Sequence, residues 1–364
     1  MTVETPKGPT VIAARLVWSA TLFALALGSL GGAVFYRLDL PLAWMLGAMV
    51  VVTIAALARA PVHLPIRLRM VMLAVLGVML GSSFSPEILD RAGEWVISLA
   101  CLVPYLLIAI GLCYAYFRAV GGYSPVTAFF SGVPGGLSEM IFLGTAMGGD
   151  TRAISLAHAA RILLVVSVIP VWFQIAAPYD PVLSAPPDRT HLADLSWQDI
   201  LILTGCAVVG MFAARRLGLP AAPLLGPMVL SAVVHLAGLT GSVPPVEAVA
   251  VAQIVLGTAI GCRFAGTATA TVLKAIVLAL GALVILLTVA VCFSLGLAFV
   301  TGLSFDALLL AYAPGGLAEM TLIALSKNID PAFVSAHHVV RIALLVTLTP
   351  FLVRMVLSDA INTR

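Results

Sequence analysis

The chain has 364 residues, of which 62% are hydrophobic and only 10% are charged. A soluble domain carries about 25% charged residues, so this composition excludes a soluble enzyme, a disordered regulator and a nucleic-acid-binding domain as the main body. The net charge is +3, and the sequence has no basic cluster for phosphate contacts. Because a membrane span needs about 20 apolar residues, the chain has room for about ten to twelve spans.

The first apolar run extends from Val11 to Tyr36 and contains Arg15. It is longer than the roughly 7–15-residue core of a signal peptide. We therefore predict a short polar tail at residues 1–15, followed by an uncleaved first span.

Charges and Pro/Gly clusters divide the chain into two sets of six apolar segments. The first set predicts helices over 16–36, 40–58, 66–84, 95–117, 124–147 and 152–177. Residues 178–197 are Pro-rich and predict a linker. The second set predicts helices over 198–217, 220–239, 246–264, 272–300, 304–326 and 331–357. The predicted units are therefore repeat 1 (16–177), the linker, repeat 2 (198–357) and a C-terminal tail (358–364).

The two repeats are copies of one sequence. At a shift of 180 residues, PGGLSEM at 134–140 aligns with PGGLAEM at 314–320, and 14 of the 37 positions over 134–170 are identical. Gly77 and Gly81 match Gly257 and Gly261 at the same shift. Since the unit is far longer than the roughly 20–50 residues of a solenoid repeat, we predict an internal duplication.

The distribution of Lys and Arg tests the relative orientation of the copies. If all twelve segments cross the membrane, nine basic residues fall inside and eight fall outside, which is no bias. If the fifth segment of each repeat returns to its own side, thirteen fall inside and four outside. We therefore predict an all-α polytopic membrane protein of two inverted repeats, each with about five spans plus one re-entrant segment. Both termini are predicted to be cytoplasmic, in a bacterial inner (plasma) membrane.

The fifth segments contain residues that interrupt a helix, because proline removes a helical hydrogen bond and glycine weakens the remaining turn. These residues are Pro134, Gly135 and Gly136 in repeat 1, and Pro314, Gly315 and Gly316 in repeat 2. Matched interruptions in inverted repeats point to the binding site of a secondary transporter. A crossed pair of broken but spanning helices is the alternative arrangement.

Glu139 and Glu319 follow these breaks by three residues. An acid in the first turn of a helix is favourable, but an ionisable group inside a membrane usually has a function. We predict that the two carboxylates serve coupling or gating by binding H⁺ or Na⁺, or that they close an ion pair across the site. The N–H groups at the glycines of both breaks are predicted to bind the substrate.

The sixth segments carry a polar stripe. Ser155, His158 and Arg161 lie on one helix face by their spacing, and Ser335, His338 and Arg341 repeat the pattern. The arginines are predicted either to pair with the glutamates or to hold an anionic substrate, with snorkelling to the interface as a third interpretation. The histidines are coupling or gating candidates, beside the interpretation of ordinary buried, hydrogen-bonded histidines.

Asp150 and Asp330 precede the sixth segments and are predicted to cap them. The sequence contains no Walker A loop, H-E-x-x-H or G-x-S-x-G motif, and its five cysteines form no C-x-x-C pair. We therefore predict no enzymatic activity, no catalytic residue, no cofactor and no metal site.

The paired pattern of PGG, Glu, Asp and H-x-x-R-I resembles the membrane AbrB family, in which a duplicated hydrophobic region covers nearly the whole chain. Here the resemblance covers about residues 15–355. Members of this family have been labelled regulators of gene expression and ammonia monooxygenases. The resemblance implies such a regulatory role, and it fixes no substrate.

Together these features predict a secondary transporter of a small anionic or zwitterionic solute, coupled to H⁺ or Na⁺. Its predicted partners are the lipid bilayer, the solute and the coupling ion. Nucleic acid is not a predicted partner, and a homo-oligomer is compatible with the sequence. The alternative hypothesis is a membrane-embedded sensor or regulator that uses the same cavity, and the third hypothesis is a membrane oxygenase.

Overall fold

A computed structural model of the chain describes residues 11–84, 92–176 and 190–362. Most of the predicted N-terminal tail (1–10), most of the Pro-rich linker (178–189) and the last two residues of the C-terminal tail lie outside the described residues. All regular secondary structure in the described ranges is helical.

Repeat 1 forms helices that follow the predicted segments, with one additional division. They are α1 (Val11–Arg37), α2 (Ala43–Leu57), α3 (Ile66–Gly81), α4 (Val96–Ala100), α5 (Leu102–Ala119), α6 (Pro125–Gly132), α7 (Leu137–Ala146) and α8 (Thr151–Ala176). The predicted segment 95–117 is divided at Cys101. Pro104 explains this division, because its ring clashes with the carbonyl four residues earlier and it has no N–H to donate.

Repeat 2 forms the corresponding helices, and its fourth segment is continuous. They are α9 (Trp197–Arg216), α10 (Ala222–Leu236), α11 (Val246–Gly261), α12 (Thr269–Thr301), α13 (Phe305–Tyr312), α14 (Leu317–Ser326) and α15 (Pro331–Asn362). Both fifth segments are interrupted in the structure, since helices end at Gly132 and Tyr312 and restart at Leu137 and Leu317.

Seven helical stretches within the described ranges are long and apolar enough to cross a membrane. They are Val17–Arg37, Gly93–Ala119, Thr151–Phe173, Trp197–Arg216, Val246–Phe264, Thr269–Thr301 and Pro331–Val356. Helices α2 and α10 have 15 residues each, which gives a length of about 23 Å. The regular secondary structure of the described ranges is therefore all helical, and the length and composition of these helices are those of a multi-pass membrane protein.

The duplication is visible in the backbone as well as in the sequence. Leu42 (φ 46°) and Ala221 (φ 47°) take the same left-handed conformation directly before α2 and α10. Four further pairs of matched positions share a positive φ: Asp39 with Gly218, Arg59 with Gly238, Gly122 with Gly302, and Gly148 with Asn328. Because non-glycine residues rarely adopt this conformation, the two copies have kept the same turns.

The centre of the molecule is formed by helices that pack on the opposite copy. Gly77 of α3 lies against the carbonyl of Leu224 in α10, and Gly257 of α11 lies against the carbonyl of Met45 in α2. Because these contacts are made to backbone atoms, the helices approach so closely at these two positions that only glycine fits there.

Each interrupted segment is held by its neighbours, and the first one folds back on itself. The Asp150 N–H, beyond the end of α7, donates to Thr127 Oγ1 near the start of α6 (3.0 Å). Gly144 of α7 also lies directly against Phe130 of α6. A continuous helix from Thr127 to Asp150 would separate these two residues by about 35 Å, so α6 and α7 form a hairpin with its tip at Pro134–Gly136.

The glycine contacts at the centre give the first testable expectation. Gly257→Ala places a methyl group against the Met45 carbonyl, so we expect a loss of about 1–3 kcal/mol in unfolding free energy. Gly205→Ala is the control, because nothing lies within 4 Å of its added carbon. Unfolding in detergent measures both variants. Equal stability of the two would contradict the close packing.

Candidate functional site

The first helix break leaves a backbone carbonyl without its usual donor. The Phe130 carbonyl would accept from the N–H of residue 134 in a continuous helix, but residue 134 is proline and has no N–H. His158 Nε2 lies 2.8 Å from this oxygen. The histidine therefore takes the place of the missing proline N–H.

The second break has the same arrangement. The Leu310 carbonyl would accept from residue 314, which is also proline, and His338 Nε2 lies 2.9 Å from that oxygen. Both histidine side chains are completely buried. A carbonyl is only an acceptor, so Nε2 carries the proton in both rings and Nδ1 is left as an acceptor when the ring is neutral.

The arginines bind the carbonyls at the end of each first half-helix. Arg161 Nη1 donates to the Val133 carbonyl (3.1 Å), and Arg341 Nη1 donates to the Ala313 carbonyl (2.6 Å). Arg341 Nη2 also donates to the Gly315 carbonyl (2.5 Å). The C-terminal end of a helix is its negative end, so a cation is favourable there.

The predicted ion pairs between these arginines and the glutamates are absent from the described residues. Neither Arg161 nor Arg341 lies within ion-pair distance of Glu139 or Glu319. The physical reason is that each break leaves backbone carbonyls facing the helix that carries the arginine, α8 or α15. The guanidinium N–H groups donate to these carbonyl oxygens instead of to a carboxylate.

The glutamate carboxylates lie over the glycines that begin the second half-helices. A side-chain carbon added to Gly136 would collide with Glu139 Oε2, and one added to Gly316 would collide with Glu319 Oε2. Each carboxylate therefore sits at the positive N-terminal end of its own helix, α7 or α14. Part of the anion-binding capacity of these helix ends is already used by the protein itself.

The two copies differ in how completely the site is paired. In repeat 2, Arg341 Nη2 also donates to His338 Nδ1 (2.9 Å). In repeat 1, His158 Nδ1 is buried and has no hydrogen-bond partner, and Arg161 Nε has none. Arg341 Nε is also unpartnered, so the clear difference between the copies is the acceptor nitrogen of the histidine.

A group of buried polar residues that the sequence did not single out joins the copies. Tyr105 donates to the Tyr312 carbonyl (2.6 Å), and Tyr312 donates to the Ser98 carbonyl. Ser98 Oγ lies 2.9 Å from His337 Nε2. The sequence feature that could have identified these residues is the presence of hydroxyl and imidazole groups inside apolar runs, with Tyr312 close before the second break.

Tyr105 joins the helices near the two breaks, because its hydroxyl donates to the carbonyl of Tyr312, which lies directly before the second break. Helix α15, which carries Arg341, also packs against α6 of repeat 1. The histidines and arginines at the two breaks, with the carbonyls that they bind, are called the central cluster below.

Asp150 and Asp330 bind the first turns of the sixth helices. Asp150 Oδ1 accepts from the N–H groups of residues 152 and 153, and Asp330 Oδ1 accepts from those of residues 332 and 333. This is the geometry of an N-cap. Near the base of the first hairpin, burial and the Asp150 carboxylate raise the pKa of Tyr123.

In the parts of the chain that the structure describes, no three His, Cys, Asp or Glu side chains are grouped so that they could hold a metal ion. The polar atoms of the central cluster are mostly nitrogen donors and backbone carbonyls. Their chemistry is that of charge recognition and hydrogen bonding.

The fold and the site together define a multi-pass helical protein of duplicated sequence, with a proline-broken helix and a buried His–Arg pair in each copy. The family described as "Transition state regulatory protein AbrB" matches residues 44–357. "Uncharacterized protein YhjN" of Bacillus subtilis is 30% identical over 353 residues, covering 90% of this chain and 91% of the relative. "Putative regulator AbrB" of Escherichia coli is 25% identical over 354 residues, covering 95% and 98%. The chain belongs to the AbrB family.

The different pairing of the two arginines gives a second testable expectation. Arg341→Gln removes three hydrogen bonds from a buried guanidinium, and Arg161→Gln removes one. We expect Arg341→Gln to lose about 1.5–3 kcal/mol more unfolding free energy than Arg161→Gln. Denaturant unfolding in detergent measures this, with the exposed Arg354→Gln as the control. Equal losses at positions 161 and 341 would contradict the difference between the copies.

Proposed function

We propose that this AbrB-family protein is a secondary transporter of a small anionic or zwitterionic solute, coupled to H⁺ or Na⁺. The observation that carries the proposal is the matched pair of broken helices, each with a buried arginine and histidine at its break. Broken helices at matching places in two repeats are the usual construction of a transporter site.

The packing of the central helices supports inverted repeats. Gly77 and Gly81 of α3 contact Leu224 and Met228 of α10, so the contact points advance in the same direction along both helices. These two helices are therefore parallel.

The same holds for the symmetric pair, because Gly257 and Gly261 of α11 contact Met45 and Val52 of α2. Consecutive spans alternate in direction, so α2 runs antiparallel to α3. Since α3 is parallel to α10, α2 is also antiparallel to α10, its counterpart in the other repeat. Twelve simple spans would instead make α2 and α11 antiparallel. Inversion follows when each interrupted segment returns to its own side, as the hairpin of α6 and α7 does.

Contacts between distant segments involve basic residues at two places that this orientation makes cytoplasmic. Arg215 Nη2 lies 2.9 Å from Met70 Sδ, which joins the end of α9 to the start of α3. Arg152 and Lys274 line one cavity near the start of α8 and α12. An excess of Lys and Arg on one side is the expected mark of the cytoplasmic face.

In the proposed mechanism, the breaks form a site near the middle of the membrane. Arg161 and Arg341 supply positive charge, and the glycines of the breaks let a solute approach the backbone. Glu139 and Glu319 serve coupling or gating, because neutralising a carboxylate at a helix N-terminus changes the charge that the solute meets. His158 and His338 hold the breaks and complete the polar surface.

The orientation is tested by cysteine accessibility. With the native cysteines replaced, Gly148→Cys and Asn328→Cys mark the turns after α7 and α14. We expect a membrane-impermeant thiol reagent to reach residue 148 from the cytoplasmic side and residue 328 from the opposite side. Labelling of both from one side is the result that twelve simple spans require, and it would overturn the inversion.

Coupling is tested with Glu139→Gln in proteoliposomes, using a panel of labelled amino acids and mono- and dicarboxylates under a proton or sodium gradient. We expect uptake to fall at least tenfold while membrane insertion is unchanged, because the carboxylate at the break is lost. Glu247→Gln is the control, since Glu247 pairs with His191 at the exposed start of α11. Wild-type uptake by Glu139→Gln would remove Glu139 from the mechanism.

A second candidate function is a membrane sensor or regulator that uses the same cavity. It is favoured by the name of the E. coli relative, "Putative regulator AbrB". Ligand binding by the purified protein without flux in proteoliposomes would favour this function over transport.

A further inference from the structure

A small polar cavity lies where the base of the first hairpin meets repeat 2. It has a volume of about 170 Å³ and is lined by residues from both ends of the hairpin, Tyr123 before α6 and Asp150 after α7. Arg152 of α8, with Thr271 and Lys274 of α12, completes its polar lining. None of these residues belongs to the central cluster, so a ligand in this cavity is distinct from the solute of the proposed transport site.

The cavity carries two basic side chains that the protein leaves unpaired. Within the described ranges, the side chains of Arg152 and Lys274 form no ion pair and no hydrogen bond. Asp150 is the acid on this cavity, and its Oδ1 is occupied by two N–H groups in the first turn of α8. Thr271 lies in the first turn of α12, which has neither a side-chain cap nor an acidic residue there. Two cations and an uncapped helix N-terminus outweigh one carboxylate, so the cavity favours an anion.

The volume of the cavity limits which anion fits. A water molecule takes up roughly 30 Å³ of liquid, so the cavity has the space of about six waters. Pockets for drug-sized ligands have roughly 300–1,000 Å³. The cavity therefore suits one phosphate-sized group, with the rest of the ligand outside. Arginine and lysine both bind phosphate, and the hydroxyls of Tyr123 and Thr271 are further donors on the cavity wall.

In a bilayer, the cavity lies at the level of the lipid headgroups. Helix α12 has 33 residues, which gives a length of about 50 Å, whereas the hydrocarbon core measures roughly 30 Å and the bilayer with headgroups roughly 40–45 Å. The first turns of α12, which carry Lys274, therefore extend beyond the hydrocarbon core. Leu273 beside Lys274 is 60% exposed, and Val277 one turn further is 59% exposed. An apolar surface for an acyl chain thus begins next to the cavity.

We propose that this cavity binds the phosphate of an anionic phospholipid, whose acyl chains lie along the exposed apolar face of α12. The phosphate lies between Arg152 and Lys274, and the hydroxyls of Thr271 and Tyr123 donate to its oxygens. Basic pockets between spanning helices on the cytoplasmic side bind such headgroups, and the proposed orientation places this cavity on that side. Because the lining comes from the first hairpin and from α12, the bound lipid joins the base of the hairpin to repeat 2.

The probe is phosphatidylglycerol, added in mixed micelles to the delipidated full-length protein. Native mass spectrometry counts the bound lipids, and a thermal shift measures the stabilisation. Phosphatidylcholine is the first matched probe, because it has the same phosphate and acyl chains but no net charge. Glycerol 3-phosphate is the second, because it carries the charge without an acyl chain. We expect phosphatidylglycerol to raise the unfolding temperature and to bind about tenfold or more tightly than either matched probe.

The matched probes also show which result would contradict the proposal. Equal binding of phosphatidylcholine would mean that the cavity does not select an anion. Equal binding of glycerol 3-phosphate would identify a soluble phosphate as the occupant. Either result would overturn the assignment to an anionic lipid.

Variants of the two cations locate the site. Arg152 and Lys274 are exposed, so we expect Arg152→Gln and Lys274→Gln to fold. The loss of one basic residue near an anionic lipid weakens binding about fivefold, so we expect a loss of about tenfold or more in the double variant. Arg67→Gln is the control, because Arg67 is an exposed basic residue at the start of α3 and does not line the cavity. Unchanged binding by the double variant, or an equal loss in Arg67→Gln, would overturn the site.

Discussion

The central constraint in this molecule is that a proline-broken helix in an apolar interior needs replacement donors for its carbonyls. Proline supplies no N–H, and neither lipid nor the surrounding aliphatic side chains supply one. A histidine and an arginine, three residues apart on the following long helix, provide the missing donors in both copies. The break and the polar stripe are thus one structural unit, and this explains why both were kept together in the duplication.

The close packing of the central helices determines where these units lie. Glycines in α3 and α11 let the opposite copy approach to backbone contact, and the short helices α2 and α10 fit between them. The interrupted segments are then brought against α8 and α15, where the arginines are buried. Tyr105 and Tyr312 join the two copies through buried hydrogen bonds to the backbone carbonyls of Tyr312 and Ser98.

Duplicated sequence does not give duplicated surroundings. His338 Nδ1 accepts a hydrogen bond from Arg341 in repeat 2, whereas His158 Nδ1 has no partner in repeat 1, although the residues are the same. The copies also differ elsewhere: α12 is continuous where α4 and α5 are divided at Cys101, and His337 has no counterpart because residue 157 is alanine.

The sequence by itself determined the properties that depend on local chemistry. Low charge defined a membrane class, the 180-residue shift defined the duplication, and PGG defined the position of each break, since proline acts on its own helix. Only the tertiary structure decided which atoms meet. It assigned the arginines to carbonyls instead of Glu139 and Glu319, folded the first broken segment into a hairpin, and left His158 Nδ1 without a partner while His338 Nδ1 accepts from Arg341. These outcomes depend on distances between segments far apart in the chain, and no local pattern of residues encodes such distances.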